Sequence, residues 1–258
     1  MGGVMGDEMD GRVVIVTGGN RGVGKVIARR FLEEGARVTT CSRGEYDEPP
    51  AAEGVEGAEG RVIHVPCDVR NLEQIDDVVG RTLDAFGRLD VLVNNAGGSP
   101  VAPTGPTSPR FHASVIAINL VGPLWFSQRA NAVMQEQDSG GAIVNISSMA
   151  SVTASPGLVA YGAAKAGLNH FTRSLAVEWG PKVRVNCIAL GTIQTEALDA
   201  VIFSNDEKTK MRFERANPLR RIGTPEEIAN TCIFLAGGRA AYVNGATIWA
   251  DGGGSRVS

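Results

Sequence analysis

The sequence predicts an α/β protein built on one doubly wound parallel sheet of about seven strands, with helices on both faces. Three observations predict it. Apolar, β-branched runs such as 13–16 and 89–93 are continuous rather than alternating, as strands covered on both faces are. Stretches of helical period alternate with these runs. Clusters of glycine, asparagine and serine follow the carboxyl ends of the strands, where open α/β sheets hold their ligands.

The totals narrow the function. With 43% hydrophobic and 21% charged residues, the composition is that of a soluble globular protein. The net charge is −3 and the basic residues are scattered, so neither nucleic acid nor an anionic membrane is an expected partner. Four cysteines stand singly in apolar runs without a CxxC pair, which predicts free thiols in a reducing compartment. The three histidines, His64, His112 and His170, share no metal-ligand spacing, so no metal site is expected. Residues 1–10 read as a flexible, glycine-rich and acidic tail without a signal-peptide pattern, and 11–258 as a single domain. No apolar run approaches the roughly 20 residues that span a bilayer. The expectation is a cytoplasmic protein.

In chain order, strand 13–16 feeds Thr17-Gly-Gly-Asn-Arg-Gly-Val-Gly24, then a helix over 25–34 and a second strand over 37–41. Glycines at such a turn let the backbone approach a pyrophosphate and aim amide N–H groups at it. Gly18, Gly22 and Gly24 read GxxxGxG rather than the usual GxGxxG. A carboxylate at the end of the second strand would accept the ribose hydroxyls of NAD, but the chain has Ser42-Arg43 there, with Arg21 inside the glycine turn. Charge-assisted bonds worth roughly 1.5–3 kcal/mol each would let two arginines favour NADP over NAD by on the order of a hundredfold. Residues 44–60 predict a loop with at most a short helix. A third strand over 61–66 ends at Cys67-Asp68-Val69. Asp68 either accepts from an adenine amino group or caps the helix expected over 72–86.

The fourth strand, 89–93, runs into Asn94-Asn95-Ala96-Gly97, small and amide-bearing residues that suit a cofactor wall. A Pro/Ser/Thr-rich loop over 98–109 is placed to rim a substrate pocket. A helix over 109–137 carries Asn119 in its interior, an unfavourable place for asparagine, where it either holds a water or bends the helix. Strand 142–146 ends in Ser147-Ser148. A helix over 161–179 begins with Tyr161-Gly-Ala-Ala-Lys165, whose spacing of four puts phenol and ammonium on one face. An ammonium about 4 Å from a phenol is expected to lower its pKa from about 10 towards roughly 7. A sixth strand over 184–189 precedes Leu190-Gly-Thr-Ile-Gln-Thr195. Residues 196–216, with Phe203, Met211 and Phe213, suit a flap over a pocket. Thr224-Pro225-Glu226-Glu227 starts a helix ending near Gly237, and 246–250 makes the seventh strand.

These motifs together resemble the short-chain dehydrogenase/reductase family over about residues 11–254. The glycine turn is similar to its TGxxxGxG cofactor loop, Asn94-Asn95-Ala96-Gly97 to its NNAG motif, and Tyr161–Lys165 to its YxxxK. Asn119 and Ser148 match the positions that complete its catalytic tetrad with Tyr161 and Lys165. The resemblance implies a single Rossmann-like domain and hydride transfer between a nicotinamide and a carbonyl or alcohol. In it Tyr161 moves the proton, Ser148 orients the substrate oxygen, Lys165 holds the nicotinamide ribose, and Asn119 holds a water leading from Lys165 to solvent. It assigns the cofactor to Gly18, Asn20, Arg21, Gly22, Val23 and Gly24 of the turn, to Ser42 and Arg43, and to Asp68 and Val69. Asn95, Ala96 and Gly97, the Tyr161–Lys165 pair, and Gly191, Ile193 and Thr195 complete that assignment, with Thr192 beside them. NADP(H) is the favoured cofactor and NAD(H) the alternative. A non-catalytic dinucleotide-binding protein is the other class, disfavoured by the complete tetrad. Leu190-Gly191 departs from the family's Pro-Gly, and 44–60 is irregular beside the adenine end. The acidic Met134-Gln-Glu-Gln-Asp138 disfavours a carrier-protein substrate, and relatives imply a homotetramer.

Overall fold

Seven strands form one all-parallel sheet: β1 (Val13–Thr17), β2 (Arg37–Ser42), β3 (Val62–Pro66), β4 (Val91–Asn94), β5 (Gly141–Ser148), β6 (Val183–Leu190) and β7 (Thr247–Ala250). Their order is β3-β2-β1-β4-β5-β6-β7, so the chain winds outward on either side of the β1–β4 pair and opens a crevice at its carboxyl ends. The structure is a computed structural model that describes residues 9–46, 48–198 and 207–254. The helices are α1 (Gly22–Glu33), α2 (Leu72–Phe86), α3 (Pro109–Ile116), α4 (Gly122–Glu136), α5 (Val159–Trp179), the short α6 (Glu196–Leu198), α7 (Glu207–Ala216) and α8 (Pro225–Ala236).

The continuous apolar runs are explained by two core layers. Val14 and Val16 of β1 join Ile27 and Phe31 of α1 and Ile228 of α8 on one face. Ile15 points the other way, into a layer with Ile75, Phe126 and Leu175 from α2, α4 and α5. Each such side chain, fully buried, stabilises the fold by roughly 1.5–3 kcal/mol. Both faces of β1 are therefore dry, and its carboxyl end is held rigidly.

Local signals set the helix ends. The Asn71 side chain accepts from the Gln74 N–H at 3.2 Å to start α2. Before α8, the Glu227 carboxylate accepts from the Thr224 N–H at 2.9 Å, and the Arg221 guanidinium beside it holds its pKa down to about 2. Asn71, rather than Asp68, is thus the cap of α2.

Two expectations change, at the 109–137 helix and at Met9, while the 44–60 reading holds and the flap is described in part. The helix expected over 109–137 is broken: a π-turn at Ala117–Val121 separates α3 from α4. Met9, placed in a flexible tail by the sequence, is 1% exposed within the α1 layer. Residues 44–60 contain one short 3₁₀ turn, Pro50–Ala52. Of the expected flap, α6 and α7 are described, whereas Phe203 lies outside the described residues, as do 1–8 and 255–258. Among the described residues, no helix is long and apolar enough to cross a membrane, and no cluster of His, Cys, Asp and Glu is arranged to hold a metal. All four cysteines are free and buried.

At the amino-terminal edge of the sheet, Asp90 ties β1 to β4. Its carboxylate, 1% exposed, accepts from the Val13 N–H at 2.9 Å, Arg12 Nη1 at 3.1 Å and Arg88 Nε at 2.9 Å. Replacing it strands a strand-edge amide and two guanidinium groups, which water partly rescues because both arginines are half-exposed. Asp90→Ala is expected to cost about 3 kcal/mol in denaturant unfolding. A loss below about 1 kcal/mol would show that the arginines and Val13 find other partners.

Candidate active site

The carboxyl end of β1 supplies the first fixed point. Thr17 Oγ1 accepts from the Asn95 and Ala96 N–H groups, each at 2.9 Å, and Asn95 Nδ2 donates to the Thr17 carbonyl at 2.9 Å. One hydroxyl thus locks the Asn94–Gly97 turn to the glycine turn. A Cβ on Gly24 would collide with Asn95 Nδ2 and the Gly18 carbonyl, so only glycine allows that approach. Asn94 Nδ2 donates to Ser127 Oγ at 3.0 Å and Asn145 Oδ1 at 2.8 Å, and Asn145 Nδ2 donates to Thr172 Oγ1 at 2.9 Å. This buried polar chain runs beneath the site from α4 to α5. Thr17 was absent from the residues assigned by sequence; its signal was its place as the last residue of β1, directly before Gly18.

Helix α1 begins at Gly22 with neither a capping side chain on Arg21 nor an acid in its first turn. Its leading amides therefore face the crevice without a built-in counter-charge, as a diphosphate requires. Thr195 lies against this turn: a Cβ on Gly22 would stand 3.8 Å from Thr195 Cγ2. Arg21 and Arg43 are both exposed, and the Arg43 charge acts on Asp68, helping to hold its pKa down. Gly191 packs against Asp251, while Ile193 pairs with Gly223 and is buried. The glycine turn, the β2 end and the 191–195 segment thus converge on one crevice, and these residues fit a nicotinamide dinucleotide.

Two assigned contacts look different in place. The Asp68 carboxylate is engaged by Arg70, whose guanidinium also donates to Ser114 Oγ at 2.8 Å, and the Arg70 bonds hold the Asp68 pKa down. Val69 turns its side chain into the core, 5% exposed, so only its backbone is left to face a ligand.

The tetrad residues meet at the ends of β4 and β5. Ser148 closes β5, its Oγ accepting from the Ala150 N–H at 3.2 Å and standing beside the Tyr161 hydroxyl, whose pKa it acts to lower. Lys165, one turn along α5, is 4% exposed and donates to the Ile146 carbonyl at 2.8 Å. A Cβ on Gly97 would stand 2.5 Å from Asn119 Oδ1 and 3.5 Å from Lys165 Nζ, so both side chains face that glycine. Asn119 is fully buried in the π-turn. Its amide donates to the Gly98 and Val115 carbonyls, both at 2.9 Å, and its Oδ1 accepts from the Gly98 N–H at 2.8 Å. The Asn119 side chain thus tethers the π-turn to the Gly98 backbone.

The expected acidification of Tyr161 is not found. The Lys165 ammonium sits 5.7 Å from the Tyr161 ring centroid and bonds to a strand carbonyl. Burial pushes the Tyr161 pKa up, and the Ser148 bond only partly offsets it. Burial also pushes Lys165 down to about 8, with the neighbouring Cys187 thiol acting in the opposite direction.

A family profile described as enoyl-(acyl carrier protein) reductase matches residues 18–255. An oxidoreductase of Mycobacterium tuberculosis is 38% identical over 95% of this chain and 93% of its own length. A probable 2,4-dienoyl-CoA reductase of Bacillus subtilis is 38% identical over 95% of this chain and 97% of its own. The crystal structure of a short chain dehydrogenase from Bacillus anthracis superposes with a TM-score of 0.85 at 38% identity, covering 95% of this chain and 97% of that one. The fold and the crevice define a nicotinamide-dependent oxidoreductase acting on CH–OH/C=O groups. The chain belongs to the short-chain dehydrogenase/reductase family.

The buried amine carries a stability cost with a defined sign. A lysine held at about 8 when folded and near 10.4 when unfolded destabilises the fold by about 3 kcal/mol at pH 7. That penalty shrinks as pH rises from 8 towards 10.4, because the folded state is then neutral while the unfolded state still binds the proton. Lys165→Met, which also loses the Ile146 bond, is expected to stabilise the cofactor-free protein by about 1–3 kcal/mol at pH 7. Its advantage over wild type should fall between pH 8 and 10 in urea unfolding. An advantage independent of pH would mean that the amine is solvated.

Proposed function

We propose that the protein is an NADP(H)-dependent reductase of small, moderately hydrophobic ketones, or in reverse a dehydrogenase of the corresponding secondary alcohols. The observation that carries this reading is the Ser148–Tyr161 hydroxyl pair at the end of β5, with a buried Lys165 one helical turn away. A protein that only bound dinucleotide would have no need of the Ser148 and Tyr161 hydroxyls.

When bound, the nicotinamide supplies or accepts the hydride. Ser148 donates a hydrogen bond to the substrate oxygen and Tyr161 delivers the proton to it. Burial keeps the phenol protonated at neutral pH, which suits a proton donor and therefore the reductive direction. Lys165 is placed to hold the nicotinamide ribose. Asn119 fixes the Gly97–Gly98 turn against that lysine. Asn95, Ala96 and the turn Gly18–Gly24 would line the dinucleotide.

NADP(H) rather than NAD(H) is supported by the absence of a carboxylate at the end of β2 and by the exposed Arg21 and Arg43 beside it. The acidic end of α4, with Glu136 and then Asp138, would repel an acidic carrier protein, so a free small molecule is the preferred substrate. Exposed Ile116, Val159 and Val177, at 37%, 58% and 86%, support a homotetramer in which the α3–α4 and α5 surfaces pack across a two-fold axis.

Two measurements test the reading. Tyr161→Phe is expected to lower turnover of a ketone by about 10²–10⁴ while leaving the NADPH dissociation constant within about twofold; an unchanged rate would remove Tyr161 from the chemistry. Calorimetric titration of wild type should give NADPH at least about tenfold tighter than NADH. Equal constants would make the protein an NAD(H)-linked dehydrogenase.

A further inference from the structure

The adenosine end of the crevice contains a histidine that the proposed chemistry does not use. His64, half-buried on β3, reaches across to the end of β2. Its Nε2 lies 2.9 Å from the Gly44 carbonyl and its Nδ1 lies 3.0 Å from Thr40 Oγ1. A carbonyl only accepts, so Nε2 carries the hydrogen; when the ring is neutral, Nδ1 then accepts from the Thr40 hydroxyl. Ser42 Oγ stands 3.4 Å from the same Nε2. One neutral ring therefore ties three alternate residues, Thr40, Ser42 and Gly44, and they bracket Arg43. Desolvation holds the His64 pKa below its ordinary value, in keeping with a neutral ring.

The same ring supports a second span. Tyr46 packs edge-on against it, with centroids 5.0 Å apart and planes at 83°. Tyr46 also lies over Gly44, where an added Cβ would come within 2.9 Å of Tyr46 Cε2. Asn20 Nδ2 in the glycine turn donates to the Tyr46 hydroxyl at 2.6 Å. Behind this, the Gly18 N–H donates to the Cys41 carbonyl at 2.7 Å and Gly19 packs on Thr40. The glycine turn carrying Arg21 and the strand end carrying Arg43 are thus joined in a closed ring of contacts whose outer arc is Asn20–Tyr46–His64.

We propose that His64 and Tyr46 form a bridge that sets the spacing of Arg21 and Arg43, making them positioning residues for recognition of the ribose 2′-phosphate. Neither touches the reacting atoms. The proposal rests on the NADP(H) reading above and deepens it. It separates cofactor choice from catalysis: loosening the bridge costs affinity for the phosphorylated cofactor and leaves the chemical step intact.

The test compares NADPH and NADH dissociation constants and turnover numbers for wild type, His64→Ala, His64→Gln and Tyr46→Phe. His64→Ala is expected to weaken NADPH about tenfold and NADH less than about twofold, with kcat at saturating NADPH unchanged. His64→Gln, which keeps a donor and an acceptor, should recover part of the loss. Tyr46 is 40% exposed, so Tyr46→Phe provides a folded variant even if His64→Ala is unstable. It should weaken NADPH about threefold with NADH unchanged. A wild-type preference for NADPH that survives His64→Ala and Tyr46→Phe, or a loss equal for both cofactors, overturns the bridge. A wild type without that preference overturns the cofactor reading itself, and the bridge's role with it.

Discussion

The site depends on an amine held out of water. Lys165 is 4% exposed, and the low-dielectric surroundings that lower its pKa also raise that of Tyr161 beside it. Nothing local to α5 could keep it there. The lysine stays buried because β5 and β6 are covered on both faces, the Ile146 carbonyl accepts its hydrogen, and Asn119 holds the Gly97–Gly98 turn over it. The sheet's two apolar layers stabilise the fold by far more than the roughly 3 kcal/mol that the amine costs. A small part of that margin maintains a poised, destabilising group, which is the usual relation between stability and a working site.

The site is also built by very short tethers. Thr17 lies at the last position of a strand that cannot move, and its hydroxyl fixes two successive amides of the β4 turn. Asn95 returns the bond to the same residue. The two turns flanking the topological switch thereby become one rigid body, with the amino end of α1 opening from it. A diphosphate binding there meets amides already aimed and loses little to reorganisation. The π-turn serves the same purpose on the next strand: widening the helix at 117–121 lets Asn119 reach the Gly98 backbone from a helix interior.

How much of this was legible in the sequence follows the range of each interaction. Strand runs, the α2 stripe, the Thr224–Glu227 helix start and the YxxxK spacing are local, and they appeared within a few residues of where they were read. The direction of the Tyr161 shift was not legible, because it depends on burial by residues far away in sequence, and burial outweighed the charge that spacing alone suggested. The capping role left open for Asp68 falls to Asn71: Arg70, two residues from Asp68, captures its carboxylate. His64 looked featureless because its partners come from a different strand and carry no motif.

The two ends of the crevice therefore run on different physics. At the β5–α5 end the groups are dry, their pKa values are moved by desolvation, and their worth lies in where a proton sits. At the β2–β3 end the arginines are exposed, salt-screened and mobile unless something spaces them, and their worth lies in geometry. The ends communicate through the sheet and the β1–β4 turns, which are rigid, so a change in the exposed end has no soft path to the dry one. Under the proposed reading, residues 42–46 bear on the choice of dinucleotide and Ser148, Tyr161 and Lys165 on the chemical step.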